Sequence, residues 1–228
     1  IIPTSCGSEA KLHNLSLGMV RSLGASIVLA LGLTAALTAV SALPAAAQDN
    51  AAIDVAAALS ERSLGSADAP VTIVEYASMT CPHCADFHAD TFPALKERYI
   101  DTGKVRLVFN NFVLNGLDKR ASMMARCVPE DRFFSLTDVL FKTQNVWGRA
   151  ADPLGELAKI GRLAGLDETR FTACMAAEPL LNGLIAMRQK GSDAGVASTP
   201  TLIVNGERVV GGHTIDELAA IIDPLLPK

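Results

Sequence analysis

The sequence predicts an α/β fold in which a central mixed sheet flanked by helices is interrupted by an inserted all-helical subdomain. Three observations predict it. Val71 to Tyr76, "VTIVEY", is β-branched and apolar with almost no polar interruption, as in a strand buried on both faces of a sheet. A helical pattern and a second apolar run, Val105 to Phe112, follow, giving a βαβ unit whose connection should be right-handed. A long stretch without strand patterning then precedes a β-hairpin and a closing helix.

The chain has 228 residues, half of them hydrophobic, and a formal charge of −4. That length suits one domain with an insertion, and the composition excludes a disordered chain or a basic nucleic-acid surface. Arg21, the apolar run Leu23 to Leu43, and the small residues Ala45 and Ala47 spell a secretory signal peptide, with Met19 as the start that opens it. Residues 1–47 are therefore expected to be removed near Ala47, and the remaining chain to be exported to the periplasm. An uncleaved membrane anchor is the alternative, since the apolar run is about long enough to span a bilayer.

Within residues 48–70, Asn50 to Arg62 is rich in helix formers and Ser63 to Pro70 reads as a loop. Residues 71–116 form the first part of the sheet domain. The helix that opens at Pro82 is expected to break or kink at Pro93 and to end near Gly103. "NGLD" marks a turn into the insertion, residues 117–195, where five segments show helical spacing: Lys119 to Val128, Asp131 to Val146, Asp152 to Ala164, Asp167 to Ala176 and Pro179 to Lys190. Several begin with Asp and carry Pro or Glu in the first turn, as helix starts do. Residues 196–228 complete the sheet domain with a strand at Thr201 to Val204, the Asn205-Gly206 hairpin signal, a second strand, and the helix of "TIDELAAIIDPLL".

The chemistry is concentrated in Thr80 to His88, "TCPHCADFH". Cys81 and Cys84 form a C-x-x-C at a strand-to-helix junction, where unpaired N–H groups and the helix dipole favour a thiolate. Pro82 suits the first helical position because it lacks a donor. His83 offers a cation or a hydrogen bond to the sulfur, and a stabilised thiolate makes the disulfide more oxidising. The competing reading is a metal-binding or metal-delivery protein using Cys81, Cys84 and His88, with His213 as the one distant candidate for a fourth ligand. The absence of a second C-x-x-C weighs against it, and His88 is then an ordinary helix residue, partly exposed or hydrogen-bonded. Thr199-Pro200, just before a strand, is a place where a cis bond can make a tight turn.

These motifs together resemble the DsbA family of thiol:disulfide oxidoreductases, which have a thioredoxin fold with a helical insertion. The resemblance covers roughly Leu64 to Leu226 and rests on "GSADAPVTIVEYASMTCPHC", the helical block and "GVASTPTLIVNG" in that order. It implies that Cys81 is the nucleophile, Cys84 the resolving thiol, and Pro200 a cis-proline beside them. Thr199 would offer its backbone to an extended substrate, and Glu75 would be a buried acid assisting proton transfer, with an outward-facing strand residue as the alternative. Leu107 is expected to stand on the neighbouring strand where the best-known oxidase has a lysine partner for that acid. Implied partners are reduced exported proteins and a membrane reoxidant of the DsbB type, with the protein a monomer and no cofactor beyond the Cys81–Cys84 disulfide. Threonine at 199 is commoner in the isomerases of this family, so a disulfide isomerase or reductase remains the enzyme alternative. Cys127 and Cys174, in two helices of the insertion, are expected to form a structural disulfide, two buried thiols being the alternative.

Overall fold

The structure, a computed structural model, describes residues 52–228; the expected signal peptide and the cleavage expected near Ala47 lie outside them. Helix α1 (Val55–Leu59) is capped by Asp54, whose carboxylate accepts from the Ala57 N–H at 3.0 Å. This is shorter than the helix expected over Asn50 to Arg62. The residues after it, expected as helix end and loop, include a strand, β1 (Arg62–Leu64). Three residues are too few to show a periodicity. They are extended because they pair antiparallel with β3 (Val105–Asn111), at Arg62↔Phe109 and Leu64↔Leu107.

Strand β2 (Val71–Ala77) is central, parallel to β3 and antiparallel to β4 (Thr201–Val204), which pairs with β5 (Glu207–Val210). The sheet order is β1-β3-β2-β4-β5. On β2 only one face is fully buried. Val71, Ile73, Glu75 and Ala77 point into the core, while Thr72, Val74 and Tyr76 are half-buried and line a cleft of about 630 Å³. The expectation of two buried faces thus holds for one. The β4–β5 turn uses Asn205 and Gly206 at φ 45° and 93°, the left-handed pair a two-residue hairpin needs.

Of the break or kink expected at Pro93, there is no break: helix α2 continues through residues 82–100. Two wide turns, Phe87–Thr91 and Lys96–Ile100, alternate with α-helical stretches at Pro82–Asp86 and Phe92–Leu95. A π-type turn just before Pro93 accommodates the proline's missing N–H while the chain stays helical. Gly103, at φ 73°, follows its end.

The chain between β3 and β4 is helical: α3 (Gly116–Cys127), α4 (Phe133–Lys142), α5 (Gln144–Trp147), α6 (Pro153–Leu163), α7 (Glu168–Ala176) and α8 (Glu178–Asp193). The single helix expected over Asp131 to Val146 is two, entered by a 3₁₀ turn at Glu130–Arg132. The break falls at Thr143, whose hydroxyl donates to the Val139 carbonyl at 2.7 Å. Helix α8 packs closely on the sheet through Gly191, where a Cβ would stand 2.8 Å from Tyr76 Cε1. The closing helix, α9 (Ile215–Ile222), carries a full capping box between Thr214 and Glu217.

Cys127 at the end of α3 and Cys174 in α7 are bonded to one another, 47 residues apart in sequence. Closing a loop of that length stabilises the fold by about 4 kcal/mol in the chain-entropy model. Cys127→Ala/Cys174→Ala protein is therefore expected to melt roughly 10 °C below the parent. Calorimetry of both proteins with Cys81 and Cys84 in the same redox state checks this, and equal melting temperatures would contradict it.

Candidate functional site

Cys81 stands at the N-cap of α2 in an extended conformation, and Pro82 takes the first helical position. The Cys81 carbonyl accepts from the Cys84 and Ala85 N–H groups at 3.1 and 3.2 Å, which starts the helix. Both cysteines are reduced. Cys81 is 7% exposed and Cys84 is fully enclosed. The Thr199–Pro200 bond is cis, and the Thr199 carbonyl oxygen lies 3.3 Å from Cys81 Sγ, where it accepts from the thiol. Residues 118 apart in sequence thus meet at one sulfur.

The two thiols differ sharply in acidity. Cys81 falls from its ordinary 9.0 to about 5, chiefly because Cys84 hydrogen-bonds to its sulfur; burial opposes this, and the Thr199 side chain and the backbone N–H groups of Cys84 and His83 add to it. Cys84 is pushed far above the ordinary thiol range, first by burial and then by its bond to Cys81. Cys81 is therefore the thiolate and Cys84 the thiol at neutral pH.

His83 acts on Cys81 through its backbone only. Its imidazole, expected against the sulfur, is 79% exposed and 3.8 Å from the Asp86 carboxylate. The first helical turn directs the side chain at this position outward while its N–H faces the N-cap.

Glu75 is fully buried, as the alternation with Val71, Ile73 and Ala77 requires. Its partner on β3 is Phe109; Leu107, expected there, pairs with Ile73 instead. The group that reaches Glu75 comes from α2. His88 Nε2 is 2.8 Å from Glu75 Oε1, and His88 is 2% exposed. Of the two forms expected for an ordinary helix residue here, His88 takes the hydrogen-bonded one, and it is buried. Among the described residues no three His, Cys, Asp or Glu side chains are grouped to hold a metal ion, and His213 instead turns to the Val210 carbonyl and Glu217.

The insertion supplies supports that sequence reasoning missed. Asp118, buried in α3, accepts from the Met79 N–H at 2.9 Å and the Leu114 N–H at 2.8 Å, and burial raises its carboxyl against these bonds. Gln144 of α5 donates to the Met79 and Cys81 carbonyls at 2.9 and 3.0 Å. Asn115, the N-cap of α3, donates to the Thr80 hydroxyl at 2.9 Å. Together they fix the loop that presents Cys81. Asn115 and Asp118 both lie in "NGLD", whose sequence signal is that of a turn, while Gln144 carries no signal. Phe133, Phe141 and Trp147 are buried, and Phe141 reaches the site by stacking on His88.

A five-stranded mixed sheet with an acidic thiol at a helix start and a cis-proline opposite defines a thioredoxin-fold dithiol protein. The sequence model of the thioredoxin family matches residues 57–224, and the chain belongs to that family. A Rickettsia bellii protein named "Putative protein-disulfide oxidoreductase" is 35% identical over 167 residues, 72% of this chain and 64% of that one. With a Rickettsia felis relative covered to 60%, the chain spans less than two thirds of these relatives' length. Wolbachia pipientis α-DsbA1 superposes with a TM-score of 0.68 at 27% identity, over 72% of this chain and 90% of that one. A protein-disulfide isomerase from Novosphingobium aromaticivorans gives 0.62 at 25% identity, over 72% and 97%. The resemblance to DsbA proteins inferred from the motifs is borne out, as is the thioredoxin-like fold.

Proposed function

We propose that this protein is a periplasmic thiol:disulfide oxidoreductase that introduces disulfides into exported proteins through Cys81 and Cys84. The observation that carries the reading is the pairing of an acidic, helix-capping Cys81 with an enclosed, weakly acidic Cys84. In the oxidised protein a substrate thiolate attacks Cys81 Sγ, and the electron pair of the Cys81–Cys84 bond passes to Cys84, which takes up a proton. A second substrate thiolate then attacks the substrate sulfur of the mixed disulfide, and Cys81 departs as a thiolate. A low thiol pKa makes Cys81 a good leaving group and favours donation of the disulfide. Thr199 and Pro200 flank the sulfur where an extended substrate would lie, and the Thr199 backbone is the element that would pair with it.

The redox couple is the cysteine pair itself, and a membrane partner of the DsbB type would reoxidise it. Isomerase activity is the second reading, favoured by Thr199 and by the likeness to the Novosphingobium isomerase. Oxidation of a reduced two-cysteine peptide, run beside refolding of a substrate with scrambled disulfides, separates the two. Stoichiometric peptide oxidation by the oxidised protein is expected; catalysis of reshuffling alone would favour the isomerase, and neither activity would reject both.

A further inference from the structure

Apart from the dithiol site, a cavity of about 180 Å³ lies where α1, β1, α3 and α7 meet. Its charged lining is three arginines, Arg62, Arg126 and Arg170, and two carboxylates, Asp54 and Glu130. Arg62 and Arg126 are 3% and 1% exposed, and their guanidinium carbons stand 5.5 and 5.2 Å from the centre of the same ring, Phe133. Burial pulls both guanidiniums below their ordinary 12.5, Arg126 to about 10, and the Arg62 charge pulls Arg126 down further. The carboxylates do little to neutralise them. Arg126 spends its donors on neutral acceptors: Asn111 Oδ1 at 2.8 Å, the Ser60 and Ala58 carbonyls at 2.7 and 3.3 Å, and the Phe109 carbonyl and Met187 Sδ, both at 3.5 Å. Arg62 donates to Ser60 Oγ and the Ala57 carbonyl, while its buried Nε has no partner among the described residues. Glu130 stands 3.8 Å from Arg62 Nη1, beyond hydrogen-bonding distance, and its side chain is 74% exposed. Asp54 is the N-cap of α1 and is engaged with the Ala57 N–H.

A buried cation is costly unless an anion compensates it, and a buried donor without a partner adds to the cost. Guanidinium groups present planar, forked donors that match the oxygens of phosphate and sulfate. We propose that this cavity binds a small tetrahedral oxyanion of the phosphate or sulfate class, held by Arg62 and Arg170 in the field of Arg126. Arg62 supplies the buried contact from β1, through the donor that the protein leaves unused. Arg170, exposed on α7, supplies the second. Arg126, its own donors committed, contributes charge, so that repulsion between two buried cations becomes attraction to a shared counter-ion. The cavity is smaller than the roughly 300–1,000 Å³ of pockets for drug-sized molecules, which fits a small ion with a few waters. Cys127 lines the same cavity, so the anion sits beside the Cys127–Cys174 cross-link and ties it to α1 and the edge strand β1.

The test titrates the unaltered protein with inorganic phosphate, sulfate, acetate or chloride at pH 7 and constant ionic strength. The readout is the Arg62 Nε–H resonance in proton–nitrogen NMR, assigned through the carbons of its own side chain. Phosphate or sulfate is expected to move it saturably, with half-saturation on the order of 1 mM, and chloride is expected to leave it in place. No saturable movement at concentrations well above that would overturn the proposal, as would acetate acting as strongly as phosphate. Two exposed positions supply the second arm. Glu130→Gln removes the competing carboxylate and should tighten phosphate binding about threefold, whereas Arg170→Ala removes a donor and should weaken it about tenfold. Arginines with a purely structural role would leave both variants like the parent, and that result would also overturn the proposal. Saturating phosphate should raise the melting temperature of the parent more than that of Arg170→Ala protein. None of these measurements depends on disulfide exchange, so the anion site and the oxidoreductase reading stand or fall separately.

Discussion

Cys81→Ser protein is expected to show no disulfide exchange above the uncatalysed rate, whereas Cys84→Ser protein is expected to react and then stall as a mixed disulfide. The asymmetry follows from geometry. Cys81 caps a helix, touches Thr199 and is the sulfur with a residual opening to solvent, while Cys84 is enclosed. With its acidity at about 5 rather than 9.0, Cys81 presents roughly a hundredfold more thiolate at pH 7 than an ordinary thiol. Serine cannot replace it, because a hydroxyl neither forms nor breaks the disulfide. At position 84 the loss is different in kind: the attack at Cys81 survives, but no second thiol can displace the substrate. Since the Cys84 hydrogen bond is the main source of Cys81 acidity, Cys84→Ala should also move the alkylation inflection of Cys81 upward, and Cys84→Ser less so. Mass spectrometry of the trapped adducts checks the stall; adducts on Cys84 of Cys81→Ser protein would contradict the assignment.

The second large effect is on pH dependence. Above about 5 Cys81 is a thiolate when reduced, while Cys84 stays a thiol. Reduction of the disulfide then consumes one proton for two electrons, and the potential should change by roughly 30 mV per pH unit. Below about 5 both sulfurs take protons and the slope should approach roughly 60 mV per pH unit. A slope near the steeper value between pH 6 and 8 would show that Cys81 is an ordinary thiol. Stability follows the same linkage. The folded value of Cys81 lies below the unfolded one, so its stabilisation of the reduced protein is present in full above the unfolded value of 9.0 and is lost as pH falls to about 5. Cys84, raised on folding, contributes in the opposite sense and loses its contribution only above 9.0, so it does not alter the trend between 5 and 9. Urea midpoints of reduced and oxidised protein should therefore converge as the pH is lowered across that window.

Much of the architecture is legible along the chain because it is carried by local signals. β-branched runs mark β2, β3 and β4, Asp marks the starts of α6 and α7 with Pro153 opening α6, and Asn205-Gly206 marks the hairpin. Strand β1 was missed because three residues carry no periodicity and their extended form comes from pairing with β3. Helix α2 was expected to break or kink at Pro93 because proline's missing donor is visible in sequence, while the wide turn that keeps the chain helical there is not.

The site divides in the same way. The sequence by itself determined the chemistry available: two thiols one helical turn apart, a proline to start the helix, a threonine and proline before a distant strand, and an acid in an apolar strand. Only the tertiary structure decided what each group touches. It turned the His83 imidazole to solvent, brought His88 to Glu75 as its buried partner, and tied the cysteine loop to Asp118 and Gln144 of the insertion. Residue identity and local spacing fix which reactions a side chain can take part in. Acidity and proton exchange depend on burial and on contacts made within a few ångströms, between residues that the fold brings together from far apart in the chain.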